Sequence, residues 1–236
     1  MHQYLFFIGN FPIRLYGIFF SLGIISGCIT AYFLLKKDRR GWESHMFDLG
    51  LVIAFAGIVG GRLWDVFFFD WEYYHNHLLE IPYIWQGGMA IQGGIIFACI
   101  AAYFYLKKHQ IPVLPFADTV TPGIILGQAI GRIANFMNGD AFGHPTGQDF
   151  GLLYPDTTLA YHTYGAQPLW PAEVWECQGD LLIFVLLLWY GCKTRAEGTT
   201  FCLYIMFYSL LRFFLENYRG DYGTLALGFK SAQITS

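Results

Sequence analysis

The sequence predicts an all-α polytopic membrane protein. Three observations carry this prediction. The chain is 55% hydrophobic and only 13% charged, with a mean hydropathy of +0.41, where an ordinary soluble domain carries about 25% charged residues. Six segments approach the roughly 20 apolar residues that a spanning helix requires. The loops between them alternate between basic and free of lysine and arginine. All 236 residues are expected to form a single integral-membrane domain.

The spans follow in order. The first runs from Ile13 to Leu35 and the second from Met46 to Phe69. The third, Gly88 to Leu106, opens on a glycine-rich stretch. The fourth extends from Phe116 to Met137. The fifth begins at Pro171, a residue suited to a helix first turn, and ends at Tyr190. Its first half, PAEVWECQGD, is polar. The sixth covers Thr199 to Glu216. The segment LGFKSAQITS then stops in what reads as the start of another helix, so a seventh helix is expected to be truncated.

Charge orients these spans. Lys36, Lys37, Arg39 and Arg40 follow span one, Lys107 and Lys108 follow span three, and Lys193 and Arg195 follow span five. The intervening loops 70–87 and 138–170 hold no lysine or arginine. Basic loops stay on the cytoplasmic side, which places the N-terminus outside. Arg219 and Lys230, after span six, dissent. The long loop 138–170 is expected to form an extracytoplasmic head segment between helices four and five.

With orientation set, the polar residues of the spans fall at one depth, in the outer half. Arg14 and Tyr16 lie on span one, Arg62 and Asp65 on span two, and Gln92 on span three. Span four carries Gln128, Arg132, Asn135 and Asn138. Span five carries Glu173, Glu176 and Asp180, and span six carries Tyr208, Arg212 and Glu216. Ionisable groups inside a bilayer are costly and mark function. Gln128, Arg132 and Asn135 share a helix face, as do Tyr208, Arg212 and Glu216. Gly123, Gly127 and Gly131, four apart, give a neighbouring helix room to approach, and Gly23/Gly27 and Gly57/Gly61 repeat the device. Arg14 fits an interfacial anchor equally well, and Arg62 with Asp65 at i+3 fits a structural ion pair.

Arginines grip phosphate through paired donors. An anion at outer-leaflet depth is most simply a phospholipid head group. The five cysteines lack CxxC spacing, the seven histidines lack ligand spacing, and HExxH, P-loop and GxSxG motifs are missing. No metal, cofactor or nucleic-acid partner is expected. A signal peptide is not expected either, because the basic cluster follows the first apolar run instead of preceding it.

The stretch Gly131-Arg132-Ile133-Ala134-Asn135-Phe136-Met137-Asn138-Gly139-Asp140-Ala141-Phe142-Gly143 resembles the signature G-R-x-x-N-F-x-N-x-E-x-x-G of the prolipoprotein diacylglyceryl transferases. Arg14-Leu15-Tyr16-Gly17, Gly60-Gly61-Arg62, GGMAIQGG at 87–94 and the Tyr208…Arg212…Glu216 stripe are similar to further landmarks of that family, in order. Pro171-Ala172-Glu173-Val174-Trp175-Glu176 is a looser version of its P-S-Q-L-Y-E segment. The resemblance implies seven helices and an outward head after helix four. It also implies a location in the bacterial cytoplasmic (inner) membrane. The implied partners are phosphatidylglycerol and the signal peptide of a prolipoprotein, whose lipobox cysteine receives the diacylglyceryl group as glycerol phosphate leaves. On this reading Arg132, Arg212, Asn135, Gln92 and Tyr16 are the catalytic candidates. Asn138, Asp140, Gly143, Tyr208, Glu216, Glu176 and Arg62 are the substrate-binding candidates.

Two positions depart from the family pattern: Asp140 replaces a glutamate, and Gln92 stands where a histidine is common. Glutamine cannot take a proton at neutral pH; Asp140, His144 and Glu216 are substitutes by residue type. The rival class is a transporter or lipid-binding membrane protein without catalysis. It predicts a polar path to the inner leaflet, where the spans offer little beyond Ser26, Thr30 and Asp48.

Overall fold

The N-terminal residues pair as strands before the first helix begins. In the computed structural model, which describes residues 3–8, 11–84, 87–191 and 196–220, β1 (Tyr4–Ile8) runs antiparallel to β2 (Phe11–Arg14). The aromatic content of YLFFI suits a strand, and Pro12 is tolerated because a two-stranded ribbon has only edges. Helix α1 therefore covers Leu15–Asp38, starting two residues later than expected, and Arg14 ends a strand instead of opening a helix.

Among the described residues, the remaining elements are helical. They comprise α2 (Met46–Trp64), α3 (Trp71–Tyr74), α4 (Ile91–Lys108), α5 (Val113–Asn138), α6 (Leu159–Tyr164), α7 (Ala172–Gly191) and α8 (Thr199–Glu216). A π-helical turn, Asp65–Phe69, extends α2. Among the described residues, four stretches are long and apolar enough to cross a membrane: Leu15–Asp38, Trp42–Phe69, Val113–Asn138 and Thr199–Glu216. Helices also form over the expected third and fifth spans. Their apolar character is diluted, by Gln92 and the terminal Lys107 and Lys108 in α4 and by Glu173, Glu176 and Asp180 in α7. The expected seventh helix, and Cys192, Lys193, Arg195 and Lys230, lie outside the described residues.

The chain divides into two compact units, Met1–Leu34 with Ala117–Ser236, and Leu35–Phe116. In the second unit α2 and α4 cross at glycines. A Cβ on Gly60 would stand 2.6 Å from the Gly93 carbonyl oxygen, closer than any side chain allows. In the first unit the same device joins α1 to α5. A Cβ on Gly23 would lie 2.8 Å from the Gly127 carbonyl oxygen, and one on Gly27 would lie 2.6 Å from that of Gly123. Gly131, third in the expected glycine row, has nothing within 4 Å of such a Cβ. Farther along, Ile125, Ile183 and Leu187 form a buried apolar cluster with Leu203, Phe207 and Leu211 against it.

Helix α8 is capped from another helix. Its N-cap, Gly198, has φ 86° and no side chain to offer. Buried Asp118 of α5 accepts the Gly198 N–H at 2.6 Å and the Phe201 N–H at 2.8 Å. Two amide groups that a helix start leaves open are satisfied this way, and a carboxylate complements the positive end of the helix dipole.

Residues 138–170 have a small core of their own. Phe142, Tyr154, Ala160 and Leu169 are buried together, with Leu152 and Tyr164 against them. Thr158 caps α6 by accepting the Tyr161 N–H at 3.3 Å. The Tyr154 hydroxyl donates to Glu173 at the start of α7, which ties this segment to the helix that carries the main carboxylates.

Candidate active site

In the first unit, α5, α7 and α8 bring three arginines to one carboxylate. Glu176, one turn into α7 and fully buried, pairs through Oε1 with Arg132 Nη2 at 2.8 Å. Its Oε2 lies 3.4 Å from Arg212 Nη1 and 3.3 Å from Arg219 Nη1. Arg212 Nη2 also pairs with buried Glu216 at 2.9 Å, one turn along α8. Shared charges of this kind survive burial only when each is paired and hydrogen-bonded.

Exposure separates the arginines by role. The side chains of Arg132 and Arg212 keep 21% and 13% of their surface open, whereas Arg219 keeps 3%. Arg132 and Arg212 can therefore meet a ligand while held by Glu176; Arg219 is enclosed. Sequence reading set Arg219 aside as an outlier to the charge rule. Its placement depends on backbone pairing just past α8. The His144 N–H donates to the Tyr218 carbonyl at 2.9 Å, and the Gly220 N–H donates to that of Phe142 at 3.0 Å. No periodicity in the sequence announces that exchange.

The end of α5 forms a second polar group. Asn135 Nδ2 donates to Asp140 Oδ1 at 2.7 Å, and Asn138 Nδ2 donates to Asp140 Oδ2 at 2.8 Å. Arg132 Nη1 donates to Asn135 Oδ1 at 3.4 Å. One carboxylate thus orients both amides, and Asn135 links it to the arginine. Gly139, with φ +74°, turns the chain so that Asp140 can fold back on the helix end. Tyr16 of α1 lies within electrostatic reach of Asp140 and Arg132. Tyr208 lies within reach of Arg132 and Arg212.

Several expected site residues have packing environments. Buried Gly143 sits where a Cβ would stand 2.6 Å from that of Trp170. In the second unit, Arg62 is buried and its guanidinium is consumed by backbone carbonyls. It donates to Ile81 at 2.8 Å, Gly87 at 2.7 Å, Gly88 at 2.9 Å and Glu80 at 3.2 Å, with Asp65 at 4.0 Å. Gln92 is exposed on the first turn of α4. Gln128 accepts from the Tyr204 hydroxyl at 3.0 Å, so Tyr204 joins the α5–α8 contact; it is one turn before Tyr208 and completes that stripe.

Outside the spans, burial and then the neighbouring Glu173 carboxylate push the Tyr154 phenol well above its ordinary value. The hydroxyl therefore stays protonated and available as a donor.

A family model described as prolipoprotein diacylglyceryl transferase matches residues 3–236. The chain belongs to the prolipoprotein diacylglyceryl transferase family. Among its relatives, a phosphatidylglycerol–prolipoprotein diacylglyceryl transferase of Clostridium botulinum is 35% identical over 237 residues, covering 100% of this chain and 92% of that one. A protein of the same description from Staphylococcus saprophyticus is 35% identical, covering 97% of this chain and 82% of the relative. Another, from Geobacillus kaustophilus, is 36% identical over 97% of this chain and 85% of its own length.

Proposed function

We infer that the protein transfers the diacylglyceryl group of phosphatidylglycerol to the lipobox cysteine thiol of prolipoproteins, releasing glycerol phosphate. Two partly open arginines held on one buried glutamate are the observation that carries this reading. In the proposed mechanism Arg132 and Arg212 bind the phosphate of the lipid. The cysteine thiolate attacks the glycerol carbon that bears it. The carbon–oxygen bond breaks, the electron pair passes to the phosphate oxygen, and glycerol phosphate departs as a more highly charged anion. Stabilising the charge that develops on that oxygen is the largest contribution such a site can make.

The other residues act on the arginines or on the lipid. Glu176 and Glu216 fix the guanidinium planes, and Asp140 fixes Asn135 and Asn138, whose amides orient the head group. Tyr16 and Tyr208 shape the site. Gln92 has amide donors for a lipid oxygen, and Arg62 secures Glu80, Ile81, Gly87 and Gly88 by its bonds to their backbone carbonyls. The protein is proposed to cross the bacterial cytoplasmic membrane with six of the described helices. Its N-terminus, the head segment 138–170 and the reacting groups face the outer side, as the loop charges favour.

The test is transfer of labelled diacylglycerol from phosphatidylglycerol to a lipobox peptide in vesicles. Arg132→Ala is expected to lower kcat/KM by about 100-fold or more, in the range for losing one charge-stabilising donor. Near-normal transfer by that variant would remove Arg132 from the mechanism. Lipid binding without any transfer by the wild-type chain would favour a lipid carrier instead.

A further inference from the structure

Arg62, Arg132, Arg212 and Arg219 each meet carboxylates or backbone carbonyls. Arg14, the last residue of β2, does not. It is exposed, and among the described residues its guanidinium forms no hydrogen bond or ion pair. The group lies 5.9 Å from the centre of the Tyr4 ring. Beside it is a cavity of about 170 Å³ lined by Gln3, Tyr4, Arg14, Asn138 and Thr157. That volume falls below the ~300 Å³ of sites for drug-sized ligands and suits a ligand of head-group size. The walls are tied together through Gln3. Its Nε2 donates to the Asn138 carbonyl at 3.0 Å and to that of Thr157 at 3.4 Å, and its own carbonyl accepts the Leu15 N–H at 2.9 Å.

The chemistry of this cavity fits a phosphate ester that carries hydroxyls. Arg14 supplies the charge of the lining, and a guanidinium is permanently cationic with paired donors for phosphate. Helix α1 starts at Leu15 with no acidic residue in its first turn, so its positive end adds to the same field. The Thr157 hydroxyl, the Tyr4 phenol and the Gln3 amide oxygen suit alcohol groups. The cavity also adjoins the proposed reacting groups. Asn138 lines it while its amide is held on Asp140, and Tyr16, two residues after Arg14, lies within electrostatic reach of Asp140 and Arg132. Resting on the transferase reading above, we propose that the Arg14 cavity is a second subsite for the glycerol phosphate group, between the reacting arginines and water. The departing product, or the head group of an incoming phosphatidylglycerol, places its phosphate on Arg14 and its hydroxyls towards Thr157 and Gln3. Arg132 and Arg212 serve the bond that breaks; Arg14 holds the same group outside that step.

The experiment uses the full-length chain in mixed micelles of detergent and phosphatidylglycerol, as wild type, Arg14→Gln and Arg14→Lys. Binding of labelled glycerol phosphate is measured without peptide by equilibrium dialysis. Inhibition of transfer to a lipobox peptide by added glycerol phosphate is measured alongside it. Arg14→Gln is expected to weaken both by about tenfold or more, as for loss of one charged donor. Arg14→Lys should weaken them less, because it keeps the charge and loses the paired donors. The KM for phosphatidylglycerol separates the two sources. An unchanged KM in Arg14→Gln means that the cavity takes the free product, and a KM raised by a similar factor means that it takes the lipid head group too; either supports the subsite. Inorganic sulfate should bind the wild type about tenfold more weakly than glycerol phosphate, since it offers no hydroxyls. Equal binding of the two anions would mark a site for any anion and overturn the proposal. Unchanged binding and inhibition in Arg14→Gln, whatever its transfer rate, would make Arg14 an interfacial anchor and overturn it as well. A wild-type chain that binds glycerol phosphate through Arg14 and transfers nothing would instead sink the transferase reading and leave the subsite standing.

Discussion

Replacing Glu176 with glutamine tests whether one buried charge organises the whole site. The substitution keeps shape and removes the charge that pairs with Arg132 at 2.8 Å, Arg219 at 3.3 Å and Arg212 at 3.4 Å. Arg212 retains Glu216 at 2.9 Å, and Arg132 has enough open surface to recruit water or lipid phosphate. Arg219, enclosed at 3% exposure, stays buried when that charge is removed and keeps its electrostatic interaction with Glu173. Removing one partner of a buried pair typically costs about 3–5 kcal/mol. For a chain of this size each kcal/mol lowers Tm by roughly 2–4 °C. Glu176→Gln should therefore melt about 6–20 °C below wild type in detergent. It should also lose transfer at temperatures where it remains folded, because Arg132 and Arg212 no longer share an anchor. Glu216→Gln is the internal control. It releases Arg212 from one of two carboxylates and leaves Arg132 and Arg219 held, so its Tm should fall by less. Both variants can be followed by fluorescence melting and by the vesicle transfer assay. A Glu176→Gln chain that melts with wild type, or a Glu216→Gln chain that is the more damaged, would refute Glu176 as the organising charge.

Three further outcomes are expected. Asp140→Ala should lower transfer about tenfold or more, since charge-assisted bonds contribute about 1.5–3 kcal/mol each and both asparagine amides lose theirs. Asp140→Glu should keep most of the rate, and equal activity for Ala and Glu would argue against a clasp. Tyr154→Phe should be destabilised by about 1–3 kcal/mol, the cost of an unsatisfied buried acceptor. Because folding raises the Tyr154 phenol, its share of stability is present below the unfolded value of about 10 and is lost as pH climbs above it, so wild type and variant should converge in Tm in alkali. Gly27→Ala should impair folding and Gly131→Ala should not, because only the first would drive a Cβ towards a neighbouring backbone, at 2.6 Å from Gly123; equal effects in a melting assay would remove the α1–α5 packing argument.

The parts of the fold that sequence reveals are those governed by period and composition. The Tyr208–Arg212–Glu216 stripe and the Glu173–Glu176–Asp180 stripe are helical spacings. The structure brings their members together because facing apolar helices leave a polar face no other place to go. What escaped depends on chain direction at helix ends. The N-terminal hairpin is short, apolar and continuous with the first span, so hydropathy merges the two. Arg219 lies beyond α8 and is recruited by backbone pairing with residues 142–144, which has no pattern of its own. Asp118 looks like an isolated charge in an apolar run until the bare start of α8, capped only by Gly198, comes against it.

The acidic departure at position 140 gains its meaning from the same geometry. As a single letter, Asp140 was a mismatch in an otherwise matching motif. In the structure its two oxygens are divided between Asn135 and Asn138, four residues and one residue before Gly139, which reverses the chain by way of its positive φ. A shorter carboxylate can still span both amides because that turn delivers it to the helix end. The motif is therefore a constraint on two asparagine amides and a turn, and aspartate meets it with one methylene fewer. The same logic assigns the neighbouring carboxylates to positioning: Asp140 and Glu176 divide both oxygens between partners, and Glu216 gives Oε2 to Arg212.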